Sequence, residues 1–166
     1  CAARLGILVK NVSDLDAAGT LTAICFDKTG TLTTGQLAVT RRTPAEGIEP
    51  VDFLRLTASA DRHRNHPVPK AVPAVAQEAG INLAEPDELI ETAGKGGRAK
   101  LEGHEILVGR YEWLQENEVA VATSHLPQLD QERGYSSLFV ARDGTYIGWV
   151  GLEDKPRPDA QKCTEE

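Results

Sequence analysis

Asp27 is the residue best placed to do chemistry. It closes an apolar run, Leu21 to Phe26, and is followed at once by Lys28, Thr29 and Gly30 in the string CFDKTGTLTTG. A carboxylate in that position can attack a phosphoryl group and form an aspartyl phosphate. A tight turn over Lys28, Thr29 and Gly30 offers amides and a hydroxyl to cradle phosphate, and glycine lets the backbone come close. Mg2+ beside Asp27 would offset the charge of carboxylate and phosphate together. An Asp at a strand-to-turn junction also has a purely structural use, as an Asx-type cap. The full string Asp27 to Thr33 is too specific for a cap alone.

The elements that must hold this carboxylate read as mixed α and β. Leu21 to Phe26 suits a buried strand of a parallel sheet, with Asp27 at its carboxyl edge, where open α/β folds bind ligands. Gln36 to Arg42 alternates and predicts a second strand. A helix follows Pro50, with apolar residues at Val51, Leu54, Leu56 and Ala58. Another is expected before Gly80, kinked or started late because of Pro69 and Pro73. Glu88 to Arg110 reads as three short strands with turns at Gly94 to Gly97 and at Glu102–Gly103. Short helices are expected at Arg110 to Val119 and at His125 to Gly134. Asp143–Gly144 predicts a hairpin between two closing strands. The middle is thus an antiparallel sheet with helices, and the two ends carry the chemistry.

The chain has 166 residues, 40% of them hydrophobic, and a net charge of −7. No basic stripe neutralises phosphates, so a general nucleic-acid-binding role is excluded. Cys1, Cys25 and Cys163 are odd in number and form no CxxC pair, which argues for a reducing compartment and against a zinc site or disulfide framework. No run of 18 apolar residues and no signal peptide are present. With no Met and an opening Cys1, the chain reads as cut from something longer.

The string DKTGTLT resembles the phosphorylation signature of the P-type ATPases, a branch of the haloacid dehalogenase-like superfamily. The resemblance implies that Asp27 is phosphorylated by ATP, next to Lys28, and that Asp27 and the Thr29 carbonyl help hold Mg2+. Related phosphatases carry a general acid and base two residues after the nucleophile. Here that residue is Thr29, which cannot take a proton from water and so leaves the phosphoenzyme long-lived. His66–Pro67 resembles the histidine-proline segment of heavy-metal-transporting members, where the histidine packs beside adenine and an acid five residues earlier contacts the base. Asp61 stands at that spacing. Gly94 and Gly96 resemble the family's Gly-x-Gly turn, which lets backbone approach the nucleotide, with Gly97 in place of the usual Val. Val108–Gly109–Arg110 resembles its VGN segment, with Arg110 for the Asn that meets nucleotide. DKPRPDA resembles the hinge back to the phosphorylation domain, with Asp154 and Arg157 tying the domains.

Read singly, these residues have plainer uses. His66–Pro67 is a capped helix start, Gly94 and Gly96 a turn, and Asp61 a solvated helix acid. His63, His104 and His125 share no metal-ligand spacing and read as surface residues. Trp113 and Trp149 read as core.

The fold implied is α+β: an antiparallel sheet flanked by helices, as the nucleotide-binding domain, between fragments of an α/β haloacid dehalogenase-like phosphorylation domain. Residues 1–34 would belong to the phosphorylation domain, 35–152 to the nucleotide-binding domain, and 153–166 to the hinge and return. Residues 2–11 resemble the cytosolic exit from a transmembrane helix. The family's downstream TGD and GDGxND motifs do not follow the hinge. The expected function is therefore that of an ATP-binding cytosolic piece of a heavy-metal pump, binding ATP or ADP with negligible turnover. The ion, among copper, zinc, cadmium and cobalt, would be chosen by membrane helices outside this sequence. Two alternatives stand beside it: a soluble phosphatase of the same superfamily, and a non-catalytic nucleotide-binding module. Residues before about 33, lacking parallel neighbours, are expected to be disordered or paired with another chain, which invites self-association.

Overall fold

The structure is a computed structural model that describes residues 4, 6–11, 13, 18–63, 70–121 and 136–165. Among the described residues, six strands form one antiparallel sheet: β1 Thr33–Pro44, β2 Glu88–Thr92, β3 Gly96–Leu101, β4 His104–Gly109, β5 Ser136–Arg142 and β6 Thr145–Pro156. Their order is β1-β6-β5-β4-β3-β2. The chain meanders from β2 to β6, and β1, first in sequence, closes the far edge against β6.

Among the described residues, the α-helices around the sheet are α1 Pro50–Asp61, α2 Ala71–Glu78, α3 Tyr111–Glu116 and α4 Ala160–Glu165. Pro50 opens α1 where no amide hydrogen is needed, and Asp52 sits in its first turn, favoured by the helix dipole. Pro73 occupies the third position of α2, still within the turn whose amides lack helical partners. The proline therefore sits in the first turn with no kink after it, and Pro69 lies outside the described residues. Gly80, at φ 69°, ends α2 in a Schellman turn: Gly80 N–H donates to Gln77 O at 3.0 Å and Ile81 N–H to Ala76 O at 2.9 Å.

The period of two along the strands divides the apolar residues between two cores. On one face, Ala99, Leu101, Ile106, Val108, Val140 and Leu152 pack under α1 and α2 with Phe53, Leu56 and Val72. On the other, Leu107, Phe139, Ala141 and Trp149 pack under Trp113 and Leu114 of α3. Full burial of a side chain such as Phe53 contributes about 2–3 kcal/mol. Of the apolar residues that mark α1, Val51 is exposed, while Phe53 is fully buried.

The Asp143–Gly144 turn has φ of 50° and 75°, so both central residues are left-handed and the hairpin follows the sheet twist. Asp143 is held by Glu105 N–H at 2.9 Å and by His104 Nδ1 at 2.6 Å. The Glu105 amide, then His104, holds its carboxyl below the usual carboxylate range. Ionisation therefore favours the fold. The contribution is present above the unfolded-state pKa of about 4 and is lost as pH falls through the folded value. We expect Asp143→Asn to lower the thermal midpoint at neutral pH and the gap to the parent chain to close below about pH 4. Thermal melts of both chains across that range check it; a gap that persists at acid pH would contradict it.

Three expectations are corrected. Leu21 to Phe26 is coil, with Leu21, Ile24 and Phe26 exposed, and Asp27 does not end a strand. A buried parallel strand needs ladder partners on its sides, and every described strand pair is antiparallel. The first glycine turn is shorter than expected, because Gly96 and Gly97 already pair in β3. Asp61 is 1% exposed, which rules out a solvated helix acid. The expected helix at 125–134 lies outside the described residues. No helix among the described residues is long and apolar enough to cross a membrane.

Candidate functional site

Asp27 is exposed, in extended backbone just before a wide helical turn, Lys28–Leu32. Lys28 and Thr29 are exposed beside it. Gly30 takes φ 79°, a conformation that side chains resist, and so lets the loop double back. Thr33, 5% exposed, locks the turn. Its hydroxyl accepts Gly30 N–H at 3.1 Å and lies 3.1 Å from Lys28 O and 2.5 Å from Asp154 Oδ2. Its one proton goes to the charged, nearer acceptor.

The return segment grips the same loop. Arg157 Nε donates to Thr31 O at 2.9 Å, Arg157 Nη2 to Gly30 O at 3.0 Å, and Arg157 N–H to Leu32 O at 2.9 Å. Asp154 and Arg157 thus hold the backbone that carries Asp27, while Asp154 itself pairs with Leu37 across the β1–β6 ladder. Thr33 was legible only as part of the DKTGTLT string.

The nucleotide candidates lie elsewhere on the sheet. Asp61 ends α1, which packs across β3 and β4; Arg55, earlier in the same helix, is anchored to Glu102 in the β3–β4 turn at 2.9 Å. Gly94, in the turn before β3, has φ 73° and open space where a side chain would point. Gly96 is different. A Cβ there would meet Trp113 Cε3 at 2.4 Å and Val108 O at 2.6 Å. Gly109, its partner across the ladder, would meet the same ring atom at 2.5 Å. Arg110 is exposed at the start of α3, and its N–H donates to Lys95 O at 2.9 Å. Gly94, Gly96 and Arg110 are therefore neighbours. His66 and Pro67 lie outside the described residues, as does His125; His63 and His104 are exposed and pair with Glu85 and Asp143.

The two groups are not brought together. β1, which follows the Asp27 turn, and β3 stand four ladder steps apart in the sheet, roughly 19 Å at the usual spacing. Sequence reasoning named Gly109 only within the Val108–Gly109–Arg110 segment and missed the seat it gives Trp113, because a glycine's neighbour across a ladder is set by register alone.

The sequence matches the haloacid dehalogenase-like hydrolase family over residues 21–166. The chain belongs to that family. Within it, the chain is similar to heavy-metal P-type ATPases. It is 38% identical, over 99% of its own length and 20% of the relative's, to a probable copper-exporting P-type ATPase of Archaeoglobus fulgidus. It superposes over 99% of its length on 26% of a zinc-transporting PIB-type ATPase in the E2·Pi state, with a TM-score of 0.81 and 29% identity. It also matches the catalytic domain of the CPx-ATPase CopB-B, over 95% of this chain and 54% of that one, with a TM-score of 0.71 and 25% identity. That structure concerns conformational change upon nucleotide binding. The chain thus spans about a fifth of the length of the copper-exporting relative.

Proposed function

We propose that this chain is the cytosolic ATP-binding part, with pieces of the phosphorylation domain, of an ATP-driven heavy-metal cation pump. Residues 1–34 and 153–166 belong to the phosphorylation domain and residues 35–152 to the nucleotide-binding domain. The observation that carries the reading is the grip of Asp154 and Arg157 on the loop of Asp27. It joins a nucleophile of phosphoryl-transfer type to a separate sheet through two adjacent strands.

Asp61, His66, Pro67, Gly94, Gly96 and Arg110 hold ATP or ADP. In the whole pump an Asp27 carboxylate oxygen bonds to the γ-phosphorus, the bond to the β,γ-bridging oxygen breaks, and ADP leaves. In-line attack needs a reach of about 3–3.5 Å, so the sheet must swing toward Asp27 about the Asp154–Arg157 hinge. The Asp27 carboxylate and the Thr29 carbonyl are hard oxygen donors, and they would hold Mg2+. When bound, Mg2+ neutralises charge on the transferring phosphoryl group. Thr29 carries no general base, so water attacks the phosphoenzyme slowly. The ion is a heavy metal, selected among copper, zinc, cadmium and cobalt by membrane helices outside this sequence.

Alone, this chain binds nucleotide with negligible turnover; the exposed, unpaired Leu21 to Phe26 segment supports that. ATP titrated into the chain should shift amides around His66, Gly94 and Gly96, and His66→Ala should abolish the shifts. Silence of those amides at saturating ATP would refute nucleotide binding. Steady hydrolysis that depends on Asp27 would refute the inert-fragment reading and favour a phosphatase.

A further inference from the structure

On its β2 side the Gly94–Gly96 turn is closed by Lys95 N–H to Thr92 O at 3.1 Å and by the Thr92–Gly96 ladder pair. Nothing lies within 4 Å of where a Gly94 side chain would point. Helix α3 holds the other side of the turn at several points. Lys95 O accepts Arg110 N–H at 2.9 Å. Lys95 Nζ pairs with Glu116 at 2.6 Å. Gly96 and Gly109 present bare backbone side by side, and the Trp113 ring occupies the space their side chains would take. Arg98, two residues into β3, donates to Asn117 Oδ1 at 2.7 Å, and Asn117 Nδ2 donates back to Trp113 O at 2.8 Å. Trp113 is itself 7% exposed and backed by Leu107, Phe139 and Trp149. Its ring therefore transmits the position of the second core to the turn.

We infer that Trp113 is a positioning residue for nucleotide binding: it seats the Gly94–Gly96 backbone, and Glu116 pins the turn through Lys95. Trp113 lies in the core on the α3 side and acts only through the backbone it supports. This inference rests on the proposed nucleotide role of the glycines. A backbone displaced by a fraction of an ångström loses well-aligned contacts to a ligand, so the effect reads out as affinity.

Trp149 supplies the control, because it is equally buried in the same cluster but is not among the atoms nearest to where a Gly96 or Gly109 side chain would stand. Calorimetric titration of ATP into the full 166-residue chain is compared with Trp113→Phe, Trp149→Phe and Glu116→Gln. Trp113→Phe should weaken ATP binding roughly tenfold and Glu116→Gln about threefold, the latter at an unchanged thermal midpoint because exposed ion pairs contribute little. Trp149→Phe should lose stability yet keep its affinity, and ATP should shift the emission of its remaining Trp113. A folded Trp113→Phe chain that binds ATP like the parent overturns the inference and leaves the nucleotide reading intact. If Trp113→Phe does not fold, parental affinity in Glu116→Gln overturns it instead. If the unsubstituted chain fails to bind ATP at millimolar concentration, the nucleotide reading falls and this inference falls with it.

Discussion

Gly148→Ala should unfold this chain more readily than most single substitutions. Gly148 lies in β6 at φ 145°, where an L side chain is strained. An added Cβ would meet Thr43 O at 2.6 Å, Pro44 Cα at 2.8 Å and Phe53 Cε2 at 2.8 Å. Two of these are backbone atoms of β1, and the third is a ring fully buried under the sheet. None is the loose end of a flexible side chain, so relief requires β1 to move away from β6. Overpacking of this kind costs about 1–3 kcal/mol, and the strained backbone adds about 1–2 kcal/mol. The sum, about 3 kcal/mol, corresponds to a thermal midpoint lowered by roughly 10 °C for a chain of this size. The β1–β6 ladder also carries the hinge, since Asp154 pairs with Leu37. Amide exchange should therefore speed up along both strands. A midpoint within a degree or two of the parent would mean that β1 yields easily, and that the hinge ladder is softer than its close contacts indicate.

Gly96→Ala should cost about 2 kcal/mol by overpacking and should move Trp113. Its Cβ would stand 2.4 Å and 2.6 Å from ring carbons of the indole and 2.6 Å from Val108 O. The carbonyl is fixed in the β4 ladder, so the indole must give way. Trp113 packs tightly in its cluster, and its emission should shift to the red as the ring is pushed toward solvent. Gly94→Ala is the instructive comparison. Its Cβ meets nothing, and the cost is the left-handed backbone alone, about 1 kcal/mol, with Trp113 emission unchanged. Melts and emission spectra of the two variants settle the matter. Equal losses with unmoved emission would show that Gly96 is a turn residue like Gly94, and that the indole does not rest on it.

These two glycines show where sequence reading stops. Gly94 and Gly96 are two residues apart and look alike in the chain. One is a glycine because of its own dihedral angle, which local turn chemistry indicates. The other is a glycine because of a tryptophan seventeen positions later. That second cause exists only once β3 and β4 pair in register and α3 folds back over them. Asp61 makes the same point. At the end of an amphipathic helix it reads as a solvated acid, and burial under the fold makes it one of the few fully covered charged groups described.

The sequence by itself determined the antiparallel sheet, the Asp143–Gly144 hairpin and the helix at Pro50. Each of these is written in local spacing, turn residues or a contiguous string. Only the tertiary structure decided that Leu21 to Phe26 forms no strand, that Asp61 is buried, and that α3 seats the glycine turn. An apolar run of six residues fits a buried strand, but a strand exists only if neighbours satisfy its backbone, and no local pattern supplies them. Burial and ladder register likewise join residues that are remote in the chain, so they are settled by packing and not by any short stretch of sequence.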